Sequence, residues 1–154
     1  MVHLQVLNLS SHKLSGTFNT TEKLRALPLV KIDLWRFDAH GSPLTGDFDL
    51  DHLPATISWL SLGSNSFTMK NWSSVPKLTA LRVLWLANND LSSAGNIDFS
   101  LLPRGLEGFS VWSCKFAPGA TADLAALPPT ITRMFFNDTA NLTLFCSDIG
   151  KFAQ

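Results

Sequence analysis

Apolar side chains recur along this chain in one figure. In 81–91, LRVLWLANNDL, leucines fall at Leu81, Leu84, Leu86 and Leu91, and Asn89 stands between the last two. The Leu84–Trp85–Leu86 centre alternates with period two, the mark of a short strand with one face turned inward. Weaker copies run from end to end. They start at Leu4, Leu29, Ile57, Leu81, Leu106 and Ile131, so successive starts lie 25, 28, 24, 25 and 25 residues apart. A near-constant period of this size marks stacked supersecondary units that share one continuous core. The expected organisation is a single domain, 1–154, of about six units: 4–28, 29–56, 57–80, 81–105, 106–130 and 131–154. Residues 140–154 are expected to form a partial C-terminal cap.

Between these strands the chain must travel back, because parallel neighbours need a long crossover. The segment 14–28, LSGTFNTTEKLRALP, offers Thr20 or Thr21 as a cap, a short helical run, and a stop at Pro28. Segments 44–54, 67–78, 97–105 and 121–129 read in the same way, most of them ending in Leu-Pro or Val-Pro. Proline breaks a helix and pushes the residue before it towards extended geometry. Short helices, 3₁₀ turns and irregular runs are expected there. The one long interval contains DAHGSP, 38–43, which reads as a loop insertion.

Two sets of positions follow from the register. Where the chain leaves each strand, a buried turn needs a side chain that satisfies backbone groups. Asn65 and Asn89 suit that position, and Cys114 and Thr139 are smaller substitutes, so these four are expected to form a structural ladder. Phe37 cannot bond there and should interrupt the ladder; His12 is open either way. The outward positions of the strands carry Trp35, Trp59, Trp85, Trp112 and Phe135, with Arg36 and Arg133 among mixed charges that include Lys31, Asp33 and Asp138. Aromatic residues with small neighbours are typical of partner-binding hot spots. The same rings could instead stack on each other across the strands, or meet a second copy of the chain.

Composition narrows the function classes. With 45% hydrophobic and 16% charged residues the chain is expected to fold. Its formal net charge is zero, so the basic excess of a phosphate-gripping nucleic-acid binder is missing. No apolar run is long enough to predict a membrane span. Cys114 and Cys146 cannot form a disulfide framework, and His3, His12, His40 and His52 lack metal-ligand spacing. No cofactor is expected. Asp49, Asp51 and His52 cluster, but DLDHLP resembles turn and cap chemistry, and no nucleophile motif or glycine-rich phosphate loop exists. The expectation is a non-enzyme. The first residues, MVHLQVLNLSSHKL, lack the charged start and apolar run of a signal peptide, which favours an intracellular chain. Five Asn-x-Ser/Thr sequons, at Asn8, Asn19, Asn71, Asn137 and Asn141, favour an extracellular or cell-surface glycoprotein instead.

From Leu4 to about Asn141 the chain resembles the leucine-rich repeat family. The stretch LTGDFDLDHLPATISWLSLGSNSF joins the figure to a glycine and a later Leu-Pro, and it is similar to the repeats of protozoan, especially trypanosomatid, members. The resemblance implies an α/β fold: a curved right-handed solenoid with a parallel sheet on its concave face and short helices or 3₁₀ turns on its convex face. It also implies a non-catalytic protein–protein interaction module, a scaffold that binds a protein or peptide on the concave face. A structural, self-associating module is the alternative.

Overall fold

The computed structural model describes residues 3–10, 14–36, 43–94 and 97–148. One strand per unit builds a six-stranded sheet: β1 (Val6–Asn8), then β3 (Lys31–Asp33), β5 (Trp59–Ser61), β7 (Val83–Trp85), β8 (Gly108–Ser110) and β10 (Arg133–Phe135), side by side in that order. Every pairing is parallel, and the register carries Leu7, Ile32, Leu60, Leu84, Phe109 and Met134 in one line across the sheet. That line is the second apolar position of each repeated figure. The alternation in the sequence therefore decides which side of the sheet each residue takes.

A second layer was not expected. The return path opens with a strand in most units: β2 (Gly16–Thr17), β4 (Leu44–Asp49) and β6 (Ser66–Lys70) form one parallel sheet, and β9 (Lys115–Asp123) and β11 (Ala140–Phe145) form another. Between them, among the described residues, Asp90 bridges Thr68 to Lys115. Segments such as LTGDFD and KFAPGATAD contain glycine, proline and aspartate and read as turn, yet each strand finds backbone partners on its parallel neighbour. Residues 140–145, within the segment expected to cap the end, extend this second layer as β11. After it come short 3₁₀ turns, Glu22–Ala26, Leu50–His52, Trp72–Lys77, Ser92–Ala94, Phe99–Leu101 and Leu124–Ala126. Three of these are capped alike: Asp49, Asp98 and Asp123 each accept a hydrogen bond from the backbone N–H two residues on.

The core lies between the layers. Ile32, Leu60, Leu62, Leu84, Leu86 and Phe109 are fully or almost fully buried beneath the first sheet, and Phe48, Phe67 and Phe116 meet them from the second. Both ends are thinner: Leu7 and Leu9 at one end, and Met134 and Phe136 at the other, are only half-buried. The architecture is α/β, made of parallel strands in sheets with few and short helices, and compatible with a repeat solenoid. Among the described residues no helix is long and apolar enough to cross a membrane.

Candidate functional site

The residues expected to form a ladder do different things. Asn65 donates through Nδ2 to the carbonyls of Leu62 and Gly63 in its own turn, and to Leu34 O of the preceding unit at 2.8 Å. Its Oδ1 accepts from Leu44 N. Asn89 repeats the arrangement on Leu86, Ala87 and Leu62, with Oδ1 accepting from Phe67 N. Cys114 keeps one of these bonds, Sγ donating to Leu86 O at 3.2 Å. Burial pushes its thiol up to about 11, so it stays a protonated donor. Thr139 makes no side-chain hydrogen bond among the described residues; Asn141, two residues on, donates to Phe116 O. Phe37 and His12 lie outside the described residues. The residue before each of these four, Ser64, Asn88, Ser113 and Asp138, has a positive φ of 51–59°. A left-handed residue therefore turns the chain off each strand, at a backbone cost that Asn and Asp bear best.

The aromatic residues expected on the outward face do lie there, and they divide into a packed half and an open half. Trp59 and Trp85 meet edge to face at 4.9 Å, and Trp85 meets Trp35 at 6.1 Å. Lys31 Nζ sits 4.9 Å above the Trp59 ring while pairing with Asp33 at 3.3 Å. Small residues make room for these rings. A methyl group on Gly63 would lie 2.4 Å from the Trp35 ring, so only glycine lets Trp35 lie across the neighbouring strand. The indole N–H groups of Trp59 and Trp85 are buried with no hydrogen-bond partner among the described residues. Each such group costs on the order of 1–3 kcal/mol.

The open half faces β8 and β10. Here Trp35, Trp85, Trp112 and Phe135 wall a cavity of about 390 Å³ whose other lining residues are Ser110 and Asn137. Trp112 is 41% exposed and Phe135 48%, although both are large and apolar. The Trp112 indole is held by a long 3.4 Å hydrogen bond to Asp138. Among the described residues no charged side chain lines this cleft. Its size is within the usual range of ligand pockets.

One expected face residue is withdrawn from solvent. Arg36 is buried, not presented to solvent, because it lies in the turn leaving β3, where its backbone N–H bonds to Gly63 O. Arg133 is exposed on the same side of β10 as Phe135, outside the cleft, and lines a second cavity with Arg104, Ile131 and Met134.

The acidic cluster on the return side is occupied by structure. Asp51 receives Lys77 Nζ at 2.6 Å, Ser74 Oγ at 2.9 Å and Arg25 Nη2 at 2.7 Å. These donors, Lys77 foremost, hold its carboxyl well below the usual carboxylate range. Asp49 accepts from both Asp51 N and Asn71 Nδ2, and His52 Nδ1 lies 3.1 Å from Thr20 O. The cluster ties three successive 3₁₀ segments together. Cys114 and Cys146 are both free thiols.

No protein-family model, curated protein or solved structure matches this chain.

Proposed function

We propose that the chain is a leucine-rich repeat solenoid that acts as a non-catalytic recognition module, binding a protein partner on the outward face of its six-stranded sheet. The observation that carries this reading is the aromatic cleft between β7 and β10: large apolar side chains left partly exposed around a defined cavity, on a rigid sheet. Exposed tryptophan beside small residues gives contact area at little entropic loss when a partner docks. The ladder asparagines and the 25-residue period support the repeat assignment.

Photo-crosslinking tests it. A photoreactive residue replacing Trp112, introduced in the cells that make the protein, is expected to give a discrete protein adduct. The same residue replacing exposed Lys23, on the return side, is expected not to. Identical adducts from both positions, or none from position 112, would sink the reading.

Self-association is the second reading, favoured by the two sheet ends. Leu4, Val6 and Leu14 are exposed at one end, and Phe145 at the other. Light scattering over a dilution series separates the two, since a persistent monomer rules out the second.

A further inference from the structure

The cleft has a polar floor that nothing in the protein uses. Ser110 is only 4% exposed, yet it lines the cavity. Its backbone carbonyl accepts from Leu86 N, but among the described residues no hydrogen bond reaches its hydroxyl. The hydroxyl opens onto the cavity, so a ligand group seated there can hydrogen-bond to it directly. The walls above it are rings: Trp85 on one side, Phe135 on the other, Trp112 beyond. Trp85 packs against Trp35 and Trp59 on its far side, and no ring contact joins it to Phe135 or Trp112 among the described residues. Ser110 lines the same cavity as Trp85 and Phe135. In the register Ser110 lies directly between them, paired with Trp85 on one side and Phe135 on the other. Two strand spacings separate those residues, roughly 9–10 Å.

We infer that this cleft takes the phenol ring of a tyrosine presented by a partner protein, with the ring between Trp85 and Phe135 and the hydroxyl hydrogen-bonded to Ser110 Oγ. The inference rests on the partner-binding reading and names the side chain that anchors the partner. Three properties of the lining select this occupant. The walls are apolar and aromatic, so they favour a flat ring. Among the described residues no charged side chain lines the cleft, which favours a neutral group. A hydroxyl on the floor calls for a polar atom at the far tip of that ring. Phenylalanine has no such atom. Tryptophan carries its N–H on the flank of the indole, so bonding the floor would turn its bulk sideways. A sugar would bring several hydroxyls to a lining with two polar side chains, Ser110 and Asn137. The occupant is not another copy of this chain, which has no tyrosine at all.

The test uses the intact chain and three probes, N-acetyl-tyrosinamide, N-acetyl-phenylalaninamide and N-acetyl-tryptophanamide, titrated while the indole N–H resonances are followed by NMR. The tyrosine probe is expected to bind about three- to tenfold more tightly than the phenylalanine probe, the worth of one hydrogen bond. Ser110→Ala should remove that preference while leaving the phenylalanine probe unchanged. Phe135→Ala, at an exposed position, should weaken all three. Equal affinity for the tyrosine and phenylalanine probes overturns the inference, as does a preference that survives Ser110→Ala. Tighter binding of the tryptophan probe, or no binding of any probe to folded protein, also overturns it. A crosslinked partner found from position 112 alongside failure of the probes would leave the recognition reading standing and remove only the tyrosine.

Discussion

Phe109 and Phe135 stand on neighbouring strands, β8 and β10, one residue apart in register and on opposite sides of the same sheet. Beneath the sheet, Phe109 is fully buried and meets Phe99 at 5.7 Å and Phe136 at 5.9 Å, so its ring is surrounded by other rings. Above it, Phe135 is half exposed at the lip of a cavity. The contrast holds for the polar atoms as well. Inside, the ladder side chains Asn65 and Asn89 bond at both ends of the amide. Outside, two tryptophan N–H groups and the Ser110 hydroxyl bond nothing among the described residues. The same residue types thus serve stability on one side, where they are filled in, and are left incomplete on the other. Incompleteness on a rigid sheet is what a recognition surface needs.

The contrast can be broken by mutation, and the largest effect belongs to the inside. Phe109→Ala should cost roughly 3–5 kcal/mol of unfolding free energy in urea titration, through lost burial and the cavity left behind. Phe135→Ala should cost under about 1 kcal/mol. Similar losses for both would dissolve the distinction. Next comes the ladder. Asn89→Ala leaves Ala87 O and Phe67 N without a side-chain partner, while Leu62 O keeps Asn65 and Leu86 O keeps Cys114, and should cost roughly 2–4 kcal/mol. Its neighbour Asn88 is half-exposed, and its side chain makes one hydrogen bond among the described residues, a 3.3 Å contact to Ser64 Oγ; it should tolerate replacement by glycine, which also suits its positive φ.

A titration sharpens the same point. The Cys114 thiol is pushed up to about 11 by burial, above its ordinary value in the unfolded chain. Below about pH 8 the thiol keeps its proton in both states and its contribution is fully present. Above the unfolded value the unfolded chain ionises first, so stability falls with rising pH until the folded thiol also ionises. The loss should reach about 2–3 kcal/mol, and Cys114→Ala should flatten that part of the pH profile. A smaller effect on stability than that of Phe109→Ala, with the largest on the face, is expected for Gly63→Ala. The added methyl must displace the Trp35 ring, at about 1–3 kcal/mol, and should change the near-ultraviolet circular dichroism of the tryptophans. A spectrum left unchanged would mean that Gly63 does not position the cleft.

How far the sequence speaks depends on what kind of interaction sets each feature. The six-strand register was legible, because alternation alone decides which side of a sheet a residue faces, from Leu7 through to Met134. The ladder was legible at Asn65 and Asn89, since a buried turn has few ways to satisfy its carbonyls. The second layer was not. Its strands β4 and β9 contain Gly46, Pro118 and Gly119, and only pairing with the neighbouring unit makes them extended. One weak signal was available there, the alternation of Phe67 and Met69 in β6 and of Leu142 and Leu144 in β11. The left-handed turn residues could have been suspected from Asn88 and Asp138 standing just before the ladder position. The cleft itself could not be read from residue types. It exists because Ser110 is small where its neighbours are large, and because Trp35 leans over Gly63 and leaves the space beyond open.

The parallel pairing has a consequence for how the molecule forms. In the first sheet each strand binds only its immediate neighbours, at separations of 25, 28, 24, 25 and 25 residues, measured from Val6 to Lys31, Trp59, Val83, Gly108 and Arg133. The loop that must close to add a strand is therefore nearly the same at every step, and it does not lengthen as the sheet widens. Assembly can begin at whichever adjacent pair forms first and spread both ways, much as a zipper closes. The best-buried pair, β7 with β8, is the natural starting point. The thinly packed ends are then the last segments to close and the first to open, which hydrogen exchange would register as protection graded from the middle outwards.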